Sequence, residues 1–143
     1  MHPDTETARA SILVVEDDPA IQFLLKYHLK RHYVVELTAS VDAALAAASR
    51  QSFDLFLIDI NLGEARTGID LLALLREMPA YGATPAVVCS AYISKANRNR
   101  YIEQGFEACV IKPFTAEELL TTIHAVLSKG EEKEAMAVSR RAA

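Results

Sequence analysis

The sequence predicts an α/β fold, a doubly wound parallel sheet with helices on both faces, and three observations carry that prediction. Short apolar runs recur along the chain, with segments of helical period between them. At least three of the runs are apolar at every position, so both faces of those strands are buried, as parallel strands covered on two sides require. The polar residues with chemical capability fall at the carboxyl ends of the runs, where open α/β sheets place their ligand crevice.

Taken in order, Ile12 to Val15 is the first strand. Asp18 before Pro19 predicts a helix N-cap with proline at the first helical position. On that helix Ile21, Leu24, Leu25, His28 and Leu29 form an inward stripe, and Phe23 and Tyr27 face outward. Tyr33 to Leu37 is the second strand. Ser40 caps a helix over Val41 to Ser49, which contains the alanine-rich run Ala43 to Ala48. Leu55 to Ile58 is the third strand. Thr67 caps a helix through Leu71, Leu72, Leu74 and Leu75 that ends near Pro79. Ala86 to Cys89 is the fourth strand, and Ser94 caps a polar helix ending at Gly105. Cys109 to Ile111 is the fifth strand. Thr115 with Glu118 three residues later is a capping box for a last helix reaching about Ser128. Five βα units in series imply right-handed crossovers in one sheet. Residues 1–10 and 130–143 are read as tails around a single domain over 11–129, with no output domain after it. Glu131 to Ala143 is open to a helical extension.

Length and composition agree with this reading. A chain of 143 residues, 51% apolar and 24% charged, is one ordinary domain able to bury about two-thirds of its unfolded surface. Its net charge of −4 argues against a general nucleic-acid binder. No apolar run approaches the roughly 18 residues of a membrane span, and Met1 to Ala10 is too polar for a secretory signal. The two cysteines, Cys89 and Cys109, sit far apart in apolar runs; they read as small buried thiols in a reducing cytoplasm. No CxxC pair suggests zinc.

The carboxyl-end residues are Glu16, Asp17 and Asp18 after the first strand, Asp59 after the third, Ser90 after the fourth, and Lys112 with Pro113 after the fifth. Crowded carboxylates repel unless a cation joins them, and an all-oxygen set without His or Cys suits a hard divalent ion such as Mg²⁺. A carboxylate beside a metal can attack phosphorus and form an aspartyl phosphate. A lysine ammonium and a hydroxyl, here Lys112 and Ser90, would then meet the phosphoryl oxygens. Asp18 reads more simply as the N-cap than as a ligand, and His28 as a partly buried, hydrogen-bonded histidine. Lys95, Arg98 and Arg100 read as a solvated helix face. Phe23 and Tyr27 are either a local aromatic pair or a partner-binding patch beside the acidic edge.

The runs ILVVEDDP, FDLFLIDINLG, VVCSAY and VIKPF resemble those of the receiver domain of bacterial two-component response regulators, over roughly Ser11 to Ser128. The resemblance implies a flavodoxin-like fold of strand order 2-1-3-4-5. It implies Asp59 as phosphoacceptor and metal ligand, and Glu16 and Asp17 as metal-site acids for Mg²⁺ or Mn²⁺. The carbonyl of Asn61 would complete the metal shell, Ser90 would be the switch hydroxyl and Lys112 the phosphate partner. The Lys112–Pro113 bond is expected to be cis. The implied donor is a sensor histidine kinase or a histidine phosphotransfer protein, and the implied output is protein contact, through Tyr92 among others, without nucleic acid or membrane. The chain would catalyse only its own phosphorylation and dephosphorylation. Three departures stand out: Cys109 occupies the place of the usual aromatic, the loop Ile60 to Thr67 lacks the usual proline and is one residue longer, and an aromatic, Tyr92, follows Ser90 by two. A haloacid-dehalogenase-type phosphatase would need a second Asp where Asn61 stands. A flavin carrier would not put three acids in its phosphate loop. A degenerate receiver acting as a constitutive binding module, or a phosphate sink, remain the alternatives.

Overall fold

The computed structural model describes residues 9–142, with side chains to residue 130; the N-terminal tail before Arg9 lies outside the described residues. Five parallel strands form one sheet: β1 (Ser11–Val15), β2 (Val34–Thr38), β3 (Leu55–Asp59), β4 (Ala86–Ser90) and β5 (Ala108–Ile111). Their order is β2-β1-β3-β4-β5. The helices are α1 (Pro19–Leu29), α2 (Val41–Arg50), α3 (Gly68–Glu77), α4 (Lys95–Glu103) and α5 (Ala116–Ala142), with one 3₁₀ turn at Pro79–Tyr81.

The expected caps form. Asp18 Oδ1 accepts from the Ala20 N–H at 2.8 Å, Ser40 Oγ from Ala43 and Thr67 Oγ1 from Asp70. Each satisfies one of the four orphan donors of a helix start. Ser94 and Asn97 close a capping box on α4. Thr115 Oγ1 accepts from the Glu118 N–H, while the Glu118 carboxylate takes the Thr115 hydroxyl.

Strand side chains alternate between two cores. Leu13, Val15, Phe56, Ile58, Ala86 and Val88 pack under α2, α3 and α4. Ile12, Val14, Leu55, Leu57, Val87, Cys89 and Val110 pack under α1 and α5. Ala44, Ala47 and Ala48 let α2 lie close on the sheet; their small size is what the alanine run serves.

Two expectations change. Leu24 is exposed, because α1 buries only Leu25 and Leu29 and Leu24 falls at the margin of the stripe. The last helix does not stop near Ser128 but continues to Ala142. No proline follows Ser128, and Glu131, Glu132, Lys133, Glu134 and Ala135 are strong helix formers, so nothing local ends it.

Candidate functional site

Register places the site. Val15 on β1 pairs with Ile58 on β3, Asp59 with Cys89 on β4, and Ser90 with Ile111 on β5. Glu16, Asp59, Ser90 and Lys112 are therefore neighbours along one sheet edge. Asp59 closes a strand buried at every position and is itself 6% exposed. Glu16 is 2% exposed, whereas Asp17 is open to solvent. Carboxylate oxygens of Glu16, Asp17 and Asp59 all lie within 4.8 Å of one another.

The Lys112 ammonium pairs with Asp59 Oδ2 at 3.0 Å and with Glu16 Oε1. Glu16 Oε1 is shut off from solvent and has no other hydrogen-bond donor among the described residues. Its Oε2 accepts from the Asp18 N–H. Burial pushes the Glu16 carboxyl up; the Lys112 ammonium and the Asp18 N–H pull it back only in part, and the Asp59 charge adds to the rise. Burial pulls the Lys112 ammonium down, but its hydrogen bonds and charge contacts with Glu16 and Asp59 outweigh that and hold it above the ordinary lysine range. Three carboxylates facing one ammonium leave an excess of two negative charges, which a divalent ion would match. Oxygen donors alone, two of them on rigid strand ends, are the ligand set of a hard cation.

Asp18 is committed to capping α1 and lies outside the carboxylate trio. The Asn61 N–H donates to Asp59 Oδ1 at 3.3 Å, so this residue sits beside the site. Ser90 ends β4, and its carbonyl accepts from the Lys112 N–H at 2.8 Å. The Lys112–Pro113 bond is cis. Phe23 and Tyr27 stand outward on α1, well exposed, with ring centroids 6.3 Å apart. His28 is half-buried, edge-on to Tyr27 and to Phe114. Tyr92 is 74% exposed. Cys109 packs half-buried against the α2–α4 core. Burial pushes the Cys89 thiol up to about 12.

Sequence reasoning passed over two residues that build this edge. Gln22 donates its amide to the Glu16 carbonyl at 2.6 Å, tying α1 to the acid-bearing loop. Its signal was a polar residue one turn beyond the cap, on the stripe side of the helix. Gly68 begins α3 directly against β3, where a Cβ would stand 2.3 Å from the Asp59 carbonyl oxygen. Its signal was a glycine at the first helical position, where most residues are better helix formers.

The response regulator receiver domain model matches residues 12–124. The chain is 29% identical over 128 residues to the transcriptional regulatory protein ResD of Bacillus subtilis, covering 89% of this chain and 52% of that one. It is 34% identical to the transcriptional activator protein PfeR of Pseudomonas aeruginosa, covering 82% of this chain and 38% of that one. The chain thus spans about half or less of the length of these two relatives. Among solved structures, the chemotaxis protein CheY4 of Vibrio cholerae superposes with a TM-score of 0.78 at 29% identity, covering 83% of this chain and 99% of that one. The receiver domain of the sensor histidine kinase PA1611 of Pseudomonas aeruginosa, which has a magnesium ion coordinated in its active-site cleft, superposes with a TM-score of 0.75 at 26% identity. That match covers 85% of this chain and 99% of the other.

Proposed function

The chain belongs to the response regulator receiver domain family of two-component systems, and from that premise we propose that it is a phosphoacceptor switch whose phosphorylated residue is Asp59. The observation that carries this reading is the setting of the Asp59 carboxylate. It is nearly buried at the end of β3, paired with the Lys112 ammonium and crowded by Glu16 and Asp17.

The residues fit Mg²⁺, and the magnesium site of the PA1611 receiver domain supports carrying that ion over to this chain. Asp17 and Asp59 would hold it, with Glu16 helping and the Asn61 carbonyl completing the shell. Bound there, the ion would offset the carboxylate charge and the charge of an incoming phosphoryl group. The Asp59 carboxylate forms the new O–P bond as the donor's bond to phosphorus breaks. Lys112 holds the phosphoryl oxygens from the β5 side, and the Ser90 hydroxyl hydrogen-bonds one of them. The donor is a sensor histidine kinase or histidine phosphotransfer protein, docking over Phe23 and Tyr27 beside the acidic edge. The work is done in the cytoplasm, and the chain acts on no separate substrate.

The response leaves through Ser90 and the segment after it. Only Tyr101 of α4 is buried, so that helix has few apolar anchors, and a shift of Ser90 toward phosphate would move Ala91 and the exposed Tyr92 with it. Mass spectrometry after incubation with a small phosphodonor and Mg²⁺ tests the assignment. One base-labile phosphoryl group is expected on the wild type and none on Asp59→Asn. Phosphorylation retained by Asp59→Asn would overturn the residue; none on the wild type would favour a constitutive binding module.

A further inference from the structure

The loop between Asp59 and α3 carries Asn61 and runs past Asp17, yet it lacks a proline to stiffen it and is a residue longer than the pattern it resembles. A longer loop of ordinary residues has more conformations to lose. The structure holds it at three points. At its base the Gly68 N–H donates to the Ile60 carbonyl at 2.9 Å. In its middle Gly63, at φ +71°, turns so close to the acidic edge that a Cβ there would meet Asp17 Oδ2 at 3.0 Å, while its N–H donates to Asn61 Oδ1. At its far side Glu64 leaves the loop altogether and reaches α2: Oε2 accepts from the Val41 N–H at 3.2 Å.

Val41 is the first residue of α2, so its N–H is an orphan donor at the positive end of a helix, where a carboxylate is favoured. Ser40 caps a different donor, Ala43, and leaves Val41 to Glu64. Arg66 closes the clasp from outside, paired with Glu64 Oε1 at 3.2 Å and Asp42 Oδ1 at 3.0 Å. The Glu64 side chain is only 27% exposed, so this is a seated contact rather than a free surface charge.

We propose that Glu64 is a positioning residue for the metal site: by accepting the first N–H of α2 it pins the β3–α3 loop so that Gly63 stays against Asp17 and Asn61 beside Asp59. The proposal rests on the phosphoacceptor reading above. Glu64 bonds to Val41 and Arg66 and to none of the three carboxylates; it acts through the loop backbone. Loss of the clasp frees the loop, so the metal must order it on binding, and affinity falls. Once metal is bound at saturation the loop is ordered again and the chemical step is unchanged.

Calorimetric titration of Mg²⁺ into metal-free protein, with amide hydrogen exchange at Val41 and Gly63, tests this on the whole chain. Glu64→Ala should weaken Mg²⁺ by about tenfold and speed exchange at both amides. Its phosphorylation rate at saturating Mg²⁺ should stay at the wild-type level, with only the Mg²⁺ concentration for half-maximal rate raised. Glu64→Gln keeps an acceptor oxygen for Val41 and should recover most of the affinity. Ser40→Ala removes the cap of α2 itself and lowers its melting temperature, but should leave Mg²⁺ affinity alone. Unchanged affinity in Glu64→Ala, or an equal loss in Ser40→Ala, overturns the assignment. A wild type that binds no Mg²⁺ overturns the functional reading, and the assignment with it.

Discussion

Replacing Gly68 with alanine is the sharpest test of how the site edge is built. A Cβ at residue 68 would stand 2.3 Å from the Asp59 carbonyl oxygen, 2.8 Å from Ile58 Cγ2 and 3.0 Å from the Asp59 carbonyl carbon. The first gap must open to at least 3.0 Å, a movement of about 0.7 Å. Two of the three atoms are strand backbone and the third belongs to a stiff β-branched side chain, so no rotamer change supplies that space. Either α3 lifts, stretching the Gly68 to Ile60 hydrogen bond, or the end of β3 moves and takes the Asp59 carboxylate with it. Forced overpacking of this kind costs about 1–3 kcal/mol. The gain in helix propensity offsets at most about 1 kcal/mol of it. With rigid backbone on the far side of the clash the cost falls in the upper part of that range, about 2–3 kcal/mol, so a net loss of about 1–2 kcal/mol should lower the melting temperature by roughly 4–8 °C in a domain of this size. Two other glycines serve as controls. Gly82 would bring a Cβ no closer than 4.0 Å to the Pro79 carbonyl, and Gly130 would meet nothing within 4 Å. Their alanine variants should melt at or slightly above the wild type. The assay is thermal melting of all three, with phosphorylation by a small donor followed in parallel. Gly68→Ala that melts and phosphorylates like the wild type would show that the close approach sets neither stability nor the position of Asp59.

The remaining predictions concern charge, thiols and docking. Lys112→Met removes the cation that faces Glu16 and Asp59, so the metal-free fold should lose about 3–5 kcal/mol, and Mg²⁺ should raise the melting temperature more than in the wild type; equal increments would refute this. With its thiol pushed up to about 12, Cys89 should resist iodoacetamide at pH 8 in the folded protein and react only on unfolding, while the half-buried Cys109 reacts first. Because the folded thiol holds its proton more tightly, its contribution is complete below the unfolded value near 9 and is lost as pH rises toward 12, so Cys89→Ala should decline less steeply over that interval in denaturant melts. Phe23→Ala with Tyr27→Ala should slow phosphoryl transfer from a protein donor and leave a small-molecule donor unaffected; equal slowing of both would make the pair structural.

What could be read from the sequence was what the chain specifies locally. Asp18, Ser40, Thr67, Ser94 and Thr115 all cap the helices expected of them, since a cap depends on its neighbours two or three residues away. Asp59 and Lys112 were legible because a charge at the end of a fully apolar strand has no bland reason to be there. Gln22, Glu64 and Gly68 were not, because each acts on a partner that only the folded chain brings near: the Glu16 carbonyl, the Val41 N–H and the Asp59 carbonyl. Leu24 was misread because a stripe five residues wide has margins, and the sheet covers only its centre. The length of α5 was left open because a run of helix formers without a stop signal does not announce its end.

The alternation of the two cores has a further consequence, one of parity. Val14, Leu57, Cys89 and Val110 face α1 and α5, so two steps on from Val14, Leu57 and Val110 the same face receives Glu16, Asp59 and Lys112. Ser90, two steps on from Val88, falls on the opposite face, toward α4. Inserting or deleting a single residue in any one strand would turn that strand's functional group through the sheet while leaving its composition untouched. The sheet thereby acts as a partition: Glu16, Asp59 and Lys112 stand on the side of α1, and Ser90 stands on the side of α4.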